Sequence, residues 1–141
     1  MVIDAKNKSY HSSRRVLVIS PDEKLQETIL QALAQQTCAA VTAEDGVEAQ
    51  KILEVEWYFV AIIIDSRLRN PSCPPLVRLI RKSPRLKSIP VIVVTASWTT
   101  EESNESLAAG AIALVPCGST ETQFQSVLAT TIGSRTKSIW E

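Results

Sequence analysis

Three short runs, residues 16–19, 59–64 and 91–94, are apolar at every position, rich in valine and isoleucine, and closed by a polar or turn residue. A strand with one wet face alternates apolar and polar side chains. An unbroken apolar run has both faces covered, as in a parallel sheet sandwiched between helices. Between and after these runs, apolar residues recur at helical spacing. Leu25, Ile29, Leu30 and Leu33 share one face, and Val47, Ile52 and Leu53 do so less strictly. Leu76, Leu79 and Ile80 make a third stripe, and Phe124, Val127, Leu128 and Ile132 a last one. Two weaker strands fit the gaps at 39–42 and 112–115, and the helix expected at 101–109 has the thinnest apolar stripe. The order is therefore five β-α units in succession. Right-handed crossovers turn it into an α/β, doubly wound, five-stranded parallel sheet with helices on both faces. The functional crevice of such a sheet lies outside the carboxyl ends of its strands.

At 141 residues and 45% apolar content the chain has material for one core. One domain is expected over 14–133, between aperiodic polar tails at 1–13 and 134–141. Fifteen Lys and Arg balance fifteen Asp and Glu, so no net field draws the protein to nucleic acid or membrane, and partner choice rests on local patches. Lys6, Lys8, Arg14 and Arg15 read as solvated charges, since no nucleic-acid-binding module follows them. The longest apolar run, 57–64, is too short to span a bilayer, and residues 1–13 lack the apolar stretch of a secretory signal. A soluble, cytoplasmic protein is expected. Cys38, Cys73 and Cys117 lack C-x-x-C spacing and His11 is the single histidine, which argues against both a disulfide framework and a zinc site.

The residues to inspect are those just past the strands: Ser20 and Pro21 after the first, Asp65 after the third, Thr95 after the fourth and Cys117 after the fifth. Ser20, Pro21, Asp22 and Glu23 read as a helix start, with Ser20 as N-cap, Pro21 at the first helical position and Glu23 completing a capping box. Residues 65–81 and 83–96 resemble the central part of the receiver domains of two-component response regulators. So do Asp45, Gly46, Glu48 and Ala49 in the second helix, and Ala108, Ala109, Gly110 and Ala111 before the last strand. The resemblance runs without a gap from about Arg15 to Ile132. It implies a flavodoxin-like sheet of strand order 2-1-3-4-5.

In that family an aspartate after strand three accepts a phosphoryl group, and an acidic pair after strand one helps hold a divalent cation. A hydroxyl after strand four and a lysine after strand five contact the phosphoryl oxygens. The charge brought by a phosphoryl group requires such neutralisation. Carried over, Asp65 takes the phosphoacceptor position and Thr95 the phosphoryl-contact position. The acidic pair falls on Ser20 and Pro21, and the lysine on Cys117, followed by Gly118 where the family has proline. The aromatic switch position falls on Leu114, Arg69 replaces a usual proline, and Cys73 a common glycine, so the loop after Asp65 is expected to take a different path.

The resemblance therefore implies a signalling module whose phosphoryl chemistry is degraded: a pseudo-receiver, not an enzyme, with no cofactor and weak or absent Mg2+ binding. Arg67 and Arg69 are expected to pair with Asp65, replacing a metal-neutralised cluster by a protein-neutralised single charge. Expected partners are a histidine kinase or another signalling protein, engaged through the fourth helix, fifth strand and fifth helix, with Trp98 as a candidate anchor. Two alternatives stand beside it. One is a working phosphoacceptor using Asp65 and Thr95. The other is a small-ligand or redox sensor using the former phosphate pocket and Cys117, with Cys73 expected on a neighbouring loop at the carboxyl edge.

Overall fold

The computed structural model describes residues 14–96 and 100–140, with 100, 102, 103 and 133–140 described by their backbone. Its strands are β1 (Arg15–Ile19), β2 (Ala39–Ala43), β3 (Ala61–Asp65), β4 (Val91–Thr95) and β5 (Ala113–Pro116). They form one parallel sheet in the order β2-β1-β3-β4-β5, the doubly wound order implied above. The register sets Leu17 beside Val41 and Ile62, Ile62 beside Val91, and Val93 beside Leu114. Helices α1 (Glu23–Ala34), α2 (Gly46–Val55), α3 (Cys73–Lys82), α4 (Thr100–Ala109) and α5 (Glu121–Trp140) alternate with the strands.

The pleat divides the core in two. Leu17, Ile19, Ile62, Ile64, Val91 and Val93 face the α2–α3 side, where Leu76, Val77 and Ile80 cover them. Their neighbours Val16, Val18, Ile63, Ile92 and Val94 face the other side, beneath Leu25, Ile29 and Leu33 of α1 and Phe124, Leu128 and Ile132 of α5. This period of two explains why the central strands are apolar throughout.

Several expected boundaries and stripes move. The apolar run 59–64 enters the sheet only at Ala61; Phe59 is buried outside the strand, with the Arg15 guanidinium 5.2 Å from its ring centroid. In α3 the buried stripe is Cys73, Leu76, Val77 and Ile80, which follows i, i+3, i+4, i+7 strictly and leaves Leu79 in water. Leu30 and Val47 are likewise exposed. Trp57 is half-buried against the core, whereas Tyr58 stacks on it from outside at 4.7 Å between centroids. The segment 134–141, expected as a tail, continues α5 as far as Trp140. Residues 1–13 lie outside the described residues.

Two glycines hold the loops that frame the sheet ends. Gly110 has φ +126°, a conformation that disfavours a side chain, and its carbonyl accepts from Arg81 Nη2 at 2.8 Å. Arg81 Nη1 also donates to Ile89 O at 2.7 Å, so one guanidinium ties α3 to the loops before β4 and β5. Gly46, the first residue of α2, packs against the loop after β3, where its N–H donates to Arg69 O at 3.0 Å. A Cβ there would lie 2.6 Å from Asn70 O and would also strike Pro71.

Alanine is the better helix former, yet Gly46→Ala is expected to destabilise the domain by about 1–3 kcal/mol, because backbone must move to admit the methyl group. Urea denaturation checks this through a lower midpoint at unchanged slope.

Candidate functional site

The site is built where β1, β3 and β4 end. Asp65 closes β3 beside Val94, and Thr95 closes β4 one residue further along. Both are buried, with Asp65 only 1% exposed. A carboxylate so far from water needs donors and a counter-charge, or its burial is costly.

Arg67 supplies most of them. The backbone turns sharply after β3, and its N–H donates to Asp65 Oδ1 at 2.9 Å. The guanidinium folds back over the same carboxylate, with Nε 3.0 Å from Oδ1 and Nη2 2.8 Å from Oδ2. This is a two-point fork on both oxygens. Ser20 Oγ donates to Oδ2 at 2.7 Å from the neighbouring strand end. Both oxygens of Asp65 are thus occupied by protein donors.

The same guanidinium reaches a second carboxylate, with Nη2 3.0 Å from Asp22 Oδ2. Asp22 is the N-cap of α1, and its Oδ1 accepts from Lys24 N at 2.9 Å and Leu25 N at 3.3 Å. The expected N-cap, Ser20, is displaced from that role. Ser20 Oγ donates to Asp65 and its oxygen accepts from Asp22 N at 3.0 Å, which closes a turn ahead of the helix. The helix therefore begins at Glu23, two residues later than a Ser20 cap would start it. Pro21 is exposed and lies outside the helix.

The arginine bridge shifts both ends. The Asp22 carboxyl is held below its ordinary value of 3.8, first by the hydrogen bond from Arg67 and then by the N–H of Leu25. The Arg67 guanidinium is held further above its already high value, chiefly by the hydrogen bond to Asp65. The pairing expected of Arg67 is present. The one expected of Arg69 is not: that side chain is exposed and, among the described residues, only its carbonyl is engaged, by Gly46.

Ser66 and Gln26 were not singled out in the sequence, and both brace the crevice. Ser66 Oγ accepts from Ala96 N at 3.0 Å, joining the turns after β3 and β4. Gln26 Nε2, one turn into α1, donates to Ser20 O at 2.8 Å. A polar side chain one turn past a cap was the available signal for Gln26; Ser66 had none, because its partner lies thirty residues away.

Cys117 follows β5, is half-buried, and donates its N–H to Thr95 O at 2.9 Å. Cys73 is not on a loop beside it. It is the first residue of α3, buried in the α2–α3 core, whereas Cys117 packs against the core on the opposite face of the sheet. The two thiols are not brought together. Leu114 sits on β5, half-buried against the α2–α3 core. Trp98 lies outside the described residues. Among the described residues no three His, Cys, Asp or Glu side chains cluster as a metal site, and no helix is long and apolar enough to cross a membrane.

The family model for the response regulator receiver domain matches residues 16–127, and the chain belongs to that family. Among solved structures it is similar to the chemotaxis response regulator CheY4 of Vibrio cholerae, at 20% identity over 84% of this chain and 98% of that one, with a TM-score of 0.78. A CheY-like receiver domain protein from Methanospirillum hungatei gives 21% identity, 89% and 98% coverage and a TM-score of 0.79. The receiver domain of the sensor histidine kinase PA1611 from Pseudomonas aeruginosa, a structure with magnesium coordinated in its active-site cleft, gives 23%, 85% and 98%, and 0.76. At these identities the likeness is one of fold. No curated protein matches the chain in sequence.

Two measurements test the arginine bridge. A double-mutant cycle of Asp65→Ala and Arg67→Ala, read by urea denaturation, is expected to give a coupling energy of about 1–2 kcal/mol, modest because water reaches the outer edge of Arg67. Asp22→Asn keeps a good N-cap and removes only the charge. A lowered carboxyl pKa adds stability that is present above its ordinary value and lost as pH falls through the folded value. The deficit of Asp22→Asn is therefore expected to be constant from neutral pH to about pH 5 and to close in more acidic solution.

Proposed function

We propose that this receiver domain is a pseudo-receiver, which signals by binding protein partners while Arg67 holds Asp65 permanently neutralised. The observation that carries the reading is the guanidinium of Arg67, forked on both oxygens of Asp65 and bridged to Asp22. For Asp65 to attack a phosphoryl group, an oxygen must first be released from these bonds. Nothing then replaces the family's lysine, because Cys117 offers a thiol in its place.

The residues present do not fit a divalent cation. The two carboxylates that converge here already share one positive charge, and a hard cation would have to displace a tethered guanidinium with only Asp65 and Asp22 in return. In this reading the domain uses no metal or other cofactor and catalyses no reaction. Receiver domains interact with histidine kinases and other signalling proteins. Here we assign that role to the face formed by α4, β5 and α5, where Leu107 and Ile112 are exposed and β5 is an open sheet edge.

Incubation with acetyl phosphate and magnesium, followed by intact mass measurement, is expected to leave the protein unmodified. A phosphoryl adduct that disappears in Asp65→Ala would sink the reading in favour of a working phosphoacceptor.

A further inference from the structure

The balance of charge in the whole chain conceals a strong segregation. Between Asp65 and Glu101 lie seven Lys and Arg and no Asp or Glu, leaving eight cations against fifteen anions elsewhere. Two of the seven are committed internally, Arg67 to Asp65 and Asp22, and Arg81 to the carbonyls of Gly110, Ile89 and Lys87. Arg78, Lys82 and Arg85 are exposed on or just after α3, and none of them pairs with a carboxylate among the described residues.

Beside these cations runs a groove of about 310 Å3 between α2 and α3, with an apolar floor of Leu53, Leu76, Ile80 and Leu86 and polar walls that include Gln50 and Ser83. Leu79 lines it and is 46% exposed. The α3 stripe that builds the core bypasses this residue, so folding alone does not account for a leucine there. Lys82 stands one turn from Leu79, with Arg78 one turn behind Lys82. Arg85 lines the groove directly and is held there by Trp57, its guanidinium carbon 4.5 Å from the ring centroid. Glu54 stands on the opposite wall. At the end of α2, Val55 is 69% exposed, and Tyr58 beyond it is 64% exposed.

We infer that the α2–α3 groove is a second docking surface, and that its occupant is an amphipathic helix of a partner protein carrying acidic residues along the edge that faces α3. An apolar floor takes side chains at i, i+3, i+4 and i+7. The unpaired cations on one wall complement acidic residues, and Glu54 on the other fixes which edge of the helix they occupy. Nucleic acid is disfavoured, because a phosphate backbone would meet an apolar floor and Glu54. The inference goes beyond the pseudo-receiver reading and does not need it: none of Ser20, Asp22, Asp65 and Arg67 lines the groove.

The test uses the full chain and a synthetic helical peptide with leucines at i, i+3, i+4 and i+7 and glutamates along one edge. A control peptide carries lysines in place of the glutamates. Heteronuclear NMR is expected to show saturable shifts at Leu53, Leu79, Ser83 and Arg85 with the acidic peptide, weakening as salt is raised. Leu79→Asp and Arg85→Glu, both at exposed positions and checked for folding by circular dichroism, should each weaken binding at least about tenfold. Equal binding of the two peptides, shifts centred elsewhere, or indifference to both substitutions would overturn the inference. So would tighter binding of duplex DNA or phosphatidylserine vesicles at the same residues. A phosphoryl adduct on Asp65 would leave this inference standing, so the two readings fail separately.

Discussion

A carboxylate buried at the end of a central strand must be given hydrogen bonds and a counter-charge, and the surroundings of Asp65 are arranged to supply them. Its backbone partner in the turn, its counter-ion and part of the α1 cap all involve Arg67 or its partner Asp22. Ser20 gives its proton to the same carboxylate and accepts from Asp22 N, while Asp22 caps the helix that starts at Glu23 and is held by the guanidinium. The turn after β3, the end of β1 and the beginning of α1 thus meet at one buried charge.

A tethered counter-ion differs physically from a bound one. A metal ion exchanges with solution, and its arrival or loss gives a pocket two states. Arg67 is tethered two residues from Asp65, so its effective concentration at the carboxylate is set by the chain and not by solution. A conformational switch needs an input that distinguishes two states. In the proposed reading the covalent cation removes that input, and the replacement of an aromatic lever by Leu114 is what one expects of a strand no longer required to report it. Information then has to pass through surfaces that are constant in shape, which directs attention from the crevice to the helical faces.

Much of this was legible in the sequence, for physical reasons that differ by residue. The central strands could be read because a both-faced apolar run has few other uses, and the Arg67 pairing because two residues of turn bring a guanidinium back over its carboxylate. The N-cap could not. Ser20 and Asp22 are both good caps, and local sequence does not choose between them; Ser20 Oγ is engaged instead with Asp65, forty-five residues away. The start of β3 was misplaced because Phe59 is apolar for a different reason, burial beneath Arg15 rather than pairing in the sheet. The extension of α5 through Trp140 escaped because residues 134–140 carry no apolar stripe, the periodicity by which a helix is read from sequence. Leu79 was assigned to the core because leucine on a helix normally belongs there; Val77, one of its neighbours in the chain, completes the true stripe.

That last displacement links fold to recognition. A helix of ten residues covering a sheet has one face to bury, and α3 buries it with Cys73, Leu76, Val77 and Ile80. Apart from Arg81, which ties α3 to the loops before β4 and β5, its outward positions are free to vary without cost to the core. In α3 the outward positions Arg78, Leu79 and Lys82 set a leucine among cations, where lysine, glutamate or glutamine would serve solubility and helix propensity as well. The same holds past the helix end, where Arg85 is stacked on Trp57 rather than left to move in solvent, so its charge is presented at a fixed place. Neutral composition therefore describes the chain poorly. The acidic excess lies outside the segment between Asp65 and Glu101, and a partner approaching the α3 wall of the groove meets an exposed leucine among cations, a combination that core packing does not require.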